Sequence, residues 1–284
     1  MQRFVDEYAA GRTPNPCLEC NRHVKFRHLV ERAQIIGADC LATGHYARVA
    51  HGDPAVGAPH RLFRAVDPSK DQSYVLYTMT QAQLGFIHFP LGGLHKIETR
   101  ALARHFELPV ADKAESQEIC FVGNRSYADF VAERRPDVTR PGTVVNAAGE
   151  TLGAHRGLVH HTVGQRRGLG IAAKDPLFVI RLEPEHNRLV VGPREEAAAR
   201  EIAVERFTLT SGIWPDAPFT AEAMVRYRGA LAPAVITPGP RESATAHIRF
   251  TGAGPIASPG QALVLYRGEE VLGGGTIGVV SRES

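Results

Sequence analysis

The sequence predicts an α/β layer over residues 1–137 followed by two β-rich modules, over 138–198 and 199–284, the last a small β-barrel. Three observations carry this reading. The first half alternates helical and strand-like apolar patterns, as α/β layers do. After Arg135-Pro136 and Arg140-Pro141-Gly142 the pattern changes to short runs rich in Val, Ile, Leu, Thr and Phe, separated by Gly, Pro and Asn. The final runs are evenly spaced and alternate in the manner of barrel strands.

In chain order, Val24, Phe26, Leu29, Val30, Ala33 and Ile36 recur near helical spacing, and Gly37 supplies a C-terminal stop. Cys40-Leu41-Ala42-Thr43-Gly44-His45 reads as a short buried strand ending in a turn, with Cys40 a small core residue. Helical patterns return over Ile97 to Phe106 and Tyr127 to Glu133. Leu177 to Ile180 and Leu189 to Val191, joined across Pro184-Glu185-His186-Asn187, predict a hairpin. A helical stretch near Glu195 to Arg200 separates the two β modules, and Ala246 to Phe250, Ala262 to Tyr266 and Thr276 to Val280 predict barrel strands.

The 284 residues are 43% apolar, enough for a packed core in each module. The net charge of +3 is spread evenly, with 17 Lys+Arg against 16 Asp+Glu over 1–137 and 16 against 14 over 138–284. Phosphates, if bound, must therefore be held by local clusters, of which Arg166-Arg167 and Arg226-Tyr227-Arg228 are the obvious ones. A strand through 226–228 would put both arginines on one face and Tyr227 on the other. The chain shows neither a signal-peptide pattern nor a long uncharged apolar run, so a cytoplasmic protein without membrane contact is expected. In a reducing compartment, four cysteines read as free, catalytic or metal-bound.

Thr13-Pro14-Asn15-Pro16-Cys17-Leu18-Glu19-Cys20-Asn21 is the most informative stretch. Two prolines stiffen it, and the cysteines arrive just before a predicted helix, where unpaired N–H groups and the helix dipole favour a thiolate. The same spacing, extended to His23, offers three zinc ligands, so a zinc-stabilised structural protein stays open. Cys120, in Glu118-Ile119-Cys120-Phe121-Val122, reads by itself as a core thiol.

Gly11-Arg12-Thr13-Pro14-Asn15-Pro16-Cys17-Leu18-Glu19-Cys20-Asn21, Val24-Lys25-Phe26, Ala42-Thr43-Gly44-His45-Tyr46-Ala47, Lys70-Asp71-Gln72-Ser73-Tyr74, Ile119-Cys120-Phe121 and Gly164-Gln165-Arg166-Arg167-Gly168 together resemble the tRNA-specific 2-thiouridylase family. The motifs fall in the family's order across essentially the whole chain. The resemblance implies an adenine nucleotide alpha hydrolase-like layer that adenylates the 2-carbonyl oxygen of a wobble uridine with ATP. Sulfur then displaces AMP. It implies a persulfide on Cys120 and attack by Cys20 as thiolate, freeing hydrosulfide or leaving a Cys20–Cys120 disulfide. Asn15, Pro16 and Cys17 would line the target base, and Gly44 would contact ATP. His45, Lys70, Asp71, Gln72, Arg226, Tyr227 and Gln261 would contact tRNA, and a sulfur-carrier protein would deliver the persulfide.

Taken alone, Gly44 and Gln261 read equally well as turn residues, and His45 and Asp71 as satisfied loop residues. The family's Ser-Gly-Gly-x-Asp-Ser pyrophosphate loop does not occur in these residues, and Gly273-Gly274-Gly275, set between β runs, does not replace it. The α/β layer is thus expected to be incomplete and N-terminally truncated, and the chain inactive by itself, with a non-catalytic tRNA-binding module as the alternative. Cys17 stands where some relatives carry aspartate. A third thiol there would allow an iron-sulfur cluster on Cys17, Cys20 and Cys120.

Overall fold

The computed structural model describes residues 2–53, 56–113, 122 and 126–282. Helix α1 (Gln2–Ala9) is followed by a helical run over 16–35 that begins as α2 (Pro16–Glu19), widens to a π-helical stretch over Cys20–Leu29 and closes as α3 (Val30–Ile35). The run starts well before the expected Val24. Asn15 caps it, with Oδ1 accepting from the Cys17 N–H at 3.1 Å, and Pro16 occupies the first helical position, where a missing N–H costs nothing. The cysteines consequently lie inside the first turn rather than ahead of it. The wider π turns also shift the apolar phase: Phe26, Val30 and Ala33 are buried, while Val24, Leu29 and Ile36 stay exposed.

Strand β1 (Leu41–Ala42) is only two residues long. The hairpin β2 (Ala47–Ala50) and β3 (Arg61–Arg64) follows, then helix α4 (Gln81–Phe86), held by a Thr80–Gln83 capping box, and β4 (Ile87–His88), which pairs parallel with β1. The expected buried strand from Cys40 to His45 is therefore corrected to this short pair. Among the described residues no further strand flanks β1, so Cys40 is exposed and is not a core thiol. Helix α5 (Lys96–His105) appears where Ile97 to Phe106 predicts it but buries none of its side chains. Helix α6 (Tyr127–Ala132) packs Phe130 and Val131 against Phe4 and Val5 of α1.

The middle module is a four-stranded sheet of β5 (Gly142–Val145), β6 (Thr151–His155), β7 (Phe178–Glu183) and β8 (Arg188–Gly192), in the order β6-β5-β8-β7. The predicted hairpin is β7–β8, turned at Asn187, which takes a left-handed φ of 48°. His161 is buried here beside His155, their rings 5.8 Å apart, and neither of its ring nitrogens has a hydrogen-bond partner. Burial, reinforced by His155, His160 and Arg156, lowers its pKa from 6.5 to about 4. The unfolded chain takes up this proton near pH 6.5 and the folded chain only near 4. Stability should thus be full above about pH 6.5 and fall as pH drops toward about 4. Thermal melts of His161→Phe should show a shallower acid loss than the parent. An identical profile would refute the assignment.

Helix α7 (Arg194–Ala197) leads into β9 (Ala199–Leu209), β10 (Phe219–Met224), β11 (Ala232–Pro238), β12 (Ala246–Phe250), β13 (Ala262–Arg267) and β14 (Glu270–Arg282). Pairing runs β13-β10-β11-β12-β9-β14 and back to β13, closing a six-stranded barrel around Ile202, Ile236, Ile248, Leu263 and Ile277. Gly274 and Gly275 serve that closure, since a Cβ on either would collide with Leu263 O or Val204. β3 continues the same sheet beyond β14, pairing Leu62 with Val271. One core therefore unites Leu18, Phe26, Leu62, Tyr74 and Ile87 of the first half with Val264, Tyr266 and Val271 of the barrel. Among the described residues no helix is long and apolar enough to cross a membrane.

Candidate active site

The loop that delivers the cysteines is pinned by the barrel. Thr13 N–H donates to Pro259 O at 2.8 Å, Gln261 Nε2 donates to Thr13 O at 2.9 Å, and Ser258 Oγ donates to Thr13 Oγ1 at 3.0 Å. Gly260, at φ 89°, allows the approach, because a Cβ there would stand 3.0 Å from Thr13 N. Beyond this clamp a cavity of about 370 Å³ opens between the helix start and the barrel, lined among others by Asn15, Pro16, Glu19, Cys20, Tyr77 and Arg206. Cys17 is exposed and does not line it.

Glu19 anchors the cavity wall. Arg206 donates to its Oε1 at 2.9 Å and to Thr276 Oγ1 at 2.7 Å, and Arg3 and His23 reach its Oε2 at 3.2 and 3.4 Å. Burial opposes ionisation of Glu19, but the charge and hydrogen bond of Arg206, then Arg3 and His23, hold its pKa below the ordinary value. The carboxylate stays charged and ties the cysteine turn to strand β9.

A second cluster joins the segment around Lys70, Asp71 and Gln72 to the turn after β10. Tyr227 Oη donates to Asp71 O at 3.1 Å and Arg228 to Ser69 O at 2.6 Å. Both Asp71 carboxylate oxygens are engaged internally, by Ala65 N, Ser73 N and Ser73 Oγ at 3.0–3.1 Å. Gln72 Oε1 accepts from Tyr46 N at 3.0 Å, and its side chain also borders a cavity of about 420 Å³ with Lys25, Thr43, Gly44 and His45. His45 Nδ1 lies 3.0 Å from Thr43 Oγ1, its ring packs 5.4 Å from that of Phe26, and burial plus the Lys25 charge lower its pKa to about 4. It is neutral at pH 7.

Three family models match the chain in succession: tRNA methyl transferase HUP domain over 1–124, tRNA methyl transferase PRC-barrel domain over 128–193 and aminomethyltransferase beta-barrel domain over 199–277. A tRNA-specific 2-thiouridylase MnmA of Herpetosiphon aurantiacus is 46% identical over 274 residues, covering 96% of this chain and 75% of that protein. Proteins of the same name from Roseiflexus castenholzii and Methylorubrum extorquens are 45% and 47% identical, over 98% of this chain and 77% and 72% of theirs. The chain belongs to the tRNA-specific 2-thiouridylase family.

For a 2-thiouridylase the sequence-derived residues thus fall into two neighbourhoods. Asn15, Pro16 and Cys20 share the first cavity, and Gln261 holds its entrance loop. Gly44, His45 and Gln72 share the other cavity, linked through Asp71 to Tyr227. The expected strand through Arg226-Tyr227-Arg228 is a correction: β10 ends at Met224, and the three residues form a turn in which Arg228 takes φ 58°. The zinc reading is also corrected. Among the described residues no three His, Cys, Asp or Glu side chains converge on a metal site. Cys17, Cys20 and His23 instead follow one another along a single helical run, with His23 turned to Glu19. Cys120, and with it the cluster on Cys17, Cys20 and Cys120, lies outside the described residues. Sequence reasoning missed Arg206, Glu19 and Tyr77, whose convergence depends on contacts distant in sequence.

Proposed function

We propose that these residues carry the sulfur-transfer half of a cytoplasmic tRNA-uridine 2-sulfurtransferase, with a catalytic layer over 1–137, a central module over 138–198 and a tRNA-contacting barrel over 199–284. The observation that supports it best is the cavity placing Cys20 beside Asn15 and Pro16 at a seam closed by Arg206. Its size, about 370 Å³, suits a flipped base. In this reading the 2-carbonyl oxygen of the wobble uridine attacks the α-phosphorus of ATP and pyrophosphate leaves. A carrier protein supplies a persulfide on Cys120. Cys20 thiolate attacks Sγ of the Cys120 persulfide, the bond from that Sγ to the outer sulfur breaks, a Cys20–Cys120 disulfide forms, and the released hydrosulfide displaces AMP at C2. A reductant then restores both thiols. Gly44 would contact ATP, and His45, Lys70, Asp71, Gln72, Arg226, Tyr227 and Gln261 would hold the tRNA. The 284 residues include no Ser-Gly-Gly-x-Asp-Ser sequence, so adenylation is proposed to need that element supplied with them.

Thiol protection tests the reading. tRNA with a wobble uridine should slow alkylation of Cys20 by iodoacetamide, whereas the same tRNA with a wobble cytidine should not, and Cys40 should react equally in both. Equal Cys20 rates with either tRNA would defeat the proposal.

A further inference from the structure

The segment from Arg166 to Leu177 curves around an open cleft of about 630 Å³ on the middle module, away from the residues assigned above. None of its backbone N–H groups donates to an acceptor among the described residues, although the flanking amides of Gly164, Gln165 and Val179 are all paired. Arg166, Arg167 and Lys174 are exposed and have no ion-pair partner among the described residues, against one acid, Asp175. The loop is nevertheless fixed. Gln165 braces its base, accepting from Thr162 N at 3.1 Å and donating to Arg167 O at 2.9 Å. Leu169 is buried in the module core, with Ile171 and Leu177 packed on the same cluster. Gly168 and Gly170 take φ of 73° and 70°, the left-handed backbone that anion-binding nests use beside right-handed residues.

We infer that the 166–177 loop is a phosphate cradle that grips the tRNA backbone, a contact separate from the cysteine cavity and the Asp71–Tyr227 cluster. The inference rests on the proposed tRNA function. RNA suits the cleft better than an acidic protein does. The exposed residues lining it are Arg166, Lys174, Asp175, Pro176, two glycines and two alanines, with no aromatic anchor of the kind protein partners bury, and Ile171 and Leu177 are half-buried against the module core. Guanidinium groups and free amides match phosphate oxygens and carry no base preference. The loop should therefore add affinity without adding sequence discrimination.

The test is filter binding of tRNA to the 284-residue chain across a salt series. Replacing Arg166, Arg167 and Lys174 together by alanine should weaken Kd about tenfold near 0.1 M salt and lower the slope of log K against log salt by about 2–3. Thermal melts and Cys20 protection at saturating tRNA should be unchanged. If the parent binds tRNA and the triple variant matches its Kd and slope, the cradle is refuted while the proposed function stands. If RNA binding is unchanged but binding of polyglutamate is lost, the loop receives an acidic protein and the RNA assignment is refuted. A parent chain that binds no tRNA at all overturns both readings.

Discussion

Serine at position 20 is expected to cut tRNA thiolation by about a thousandfold or more, measured in a chain that joins these residues to a Ser-Gly-Gly-x-Asp-Ser loop. The exchange is nearly isosteric, and the helix at this point is fixed by the Asn15 cap, the Pro16 start and the Glu19–Arg206 tie rather than by the sulfur. Folding and tRNA affinity should therefore be preserved, and the loss should appear in kcat. A serine hydroxyl is almost wholly protonated at neutral pH, whereas a few per cent or more of a thiol is ionised and intrinsically far more nucleophilic toward sulfur. Cys17→Ser supplies the contrast. Cys17 is exposed and outside the cavity, so its change should stay within about threefold. Activity surviving in Cys20→Ser, or lost equally in Cys17→Ser, would remove Cys20 from the chemistry.

What the sequence displays and what it hides follows from the range of the interactions involved. The β7–β8 hairpin and the strands β12, β13 and β14 are legible because alternation and turn residues are local signals, and Asn187 adopts the left-handed turn its type favours. The helix start was misplaced although its cap and proline were in view, because a proline pair in Thr13-Pro14-Asn15-Pro16 also describes an extended loop. The apolar pattern of 24–36 misleads where the π stretch changes the angular step between residues. Arg226-Tyr227-Arg228 looks like a strand continuing β10, but the chain turns there so that Tyr227 and Arg228 can bond the backbone of Asp71 and Ser69. Cys20 was visible as a candidate, yet its cavity was not. Arg206 reaches Glu19 across 187 positions and Gln261 reaches Thr13 across 248, and no periodicity encodes such distances.

The same long-range character makes Tyr266 a costly residue to truncate in the shared core. It is fully buried on β13, between Glu222 of β10 and Val271 of β14, and packs in the cluster that also holds Leu62, Tyr74 and Ile87. Arg64 of β3 lies over its ring, 4.8 Å from the centroid, while Arg64 Nε sits 3.3 Å from Asp71 Oδ2, off the line of a hydrogen bond. Tyr266→Ala would open a large cavity and strip the aromatic face from a guanidinium whose Nε is buried and has no hydrogen-bond acceptor. The expected loss is about 3–5 kcal/mol in urea unfolding. Tyr266→Phe keeps the ring and removes only an Oη that stands 3.4 Å from Ser73 Oγ, so it should cost under about 1 kcal/mol. Because Arg64 and Asp71 connect this ring to Tyr227, the alanine variant should also bind tRNA more weakly at temperatures where it is still folded, whereas the phenylalanine variant should not. Equal stability of the two variants would show that the barrel and the first half do not share a core at this residue.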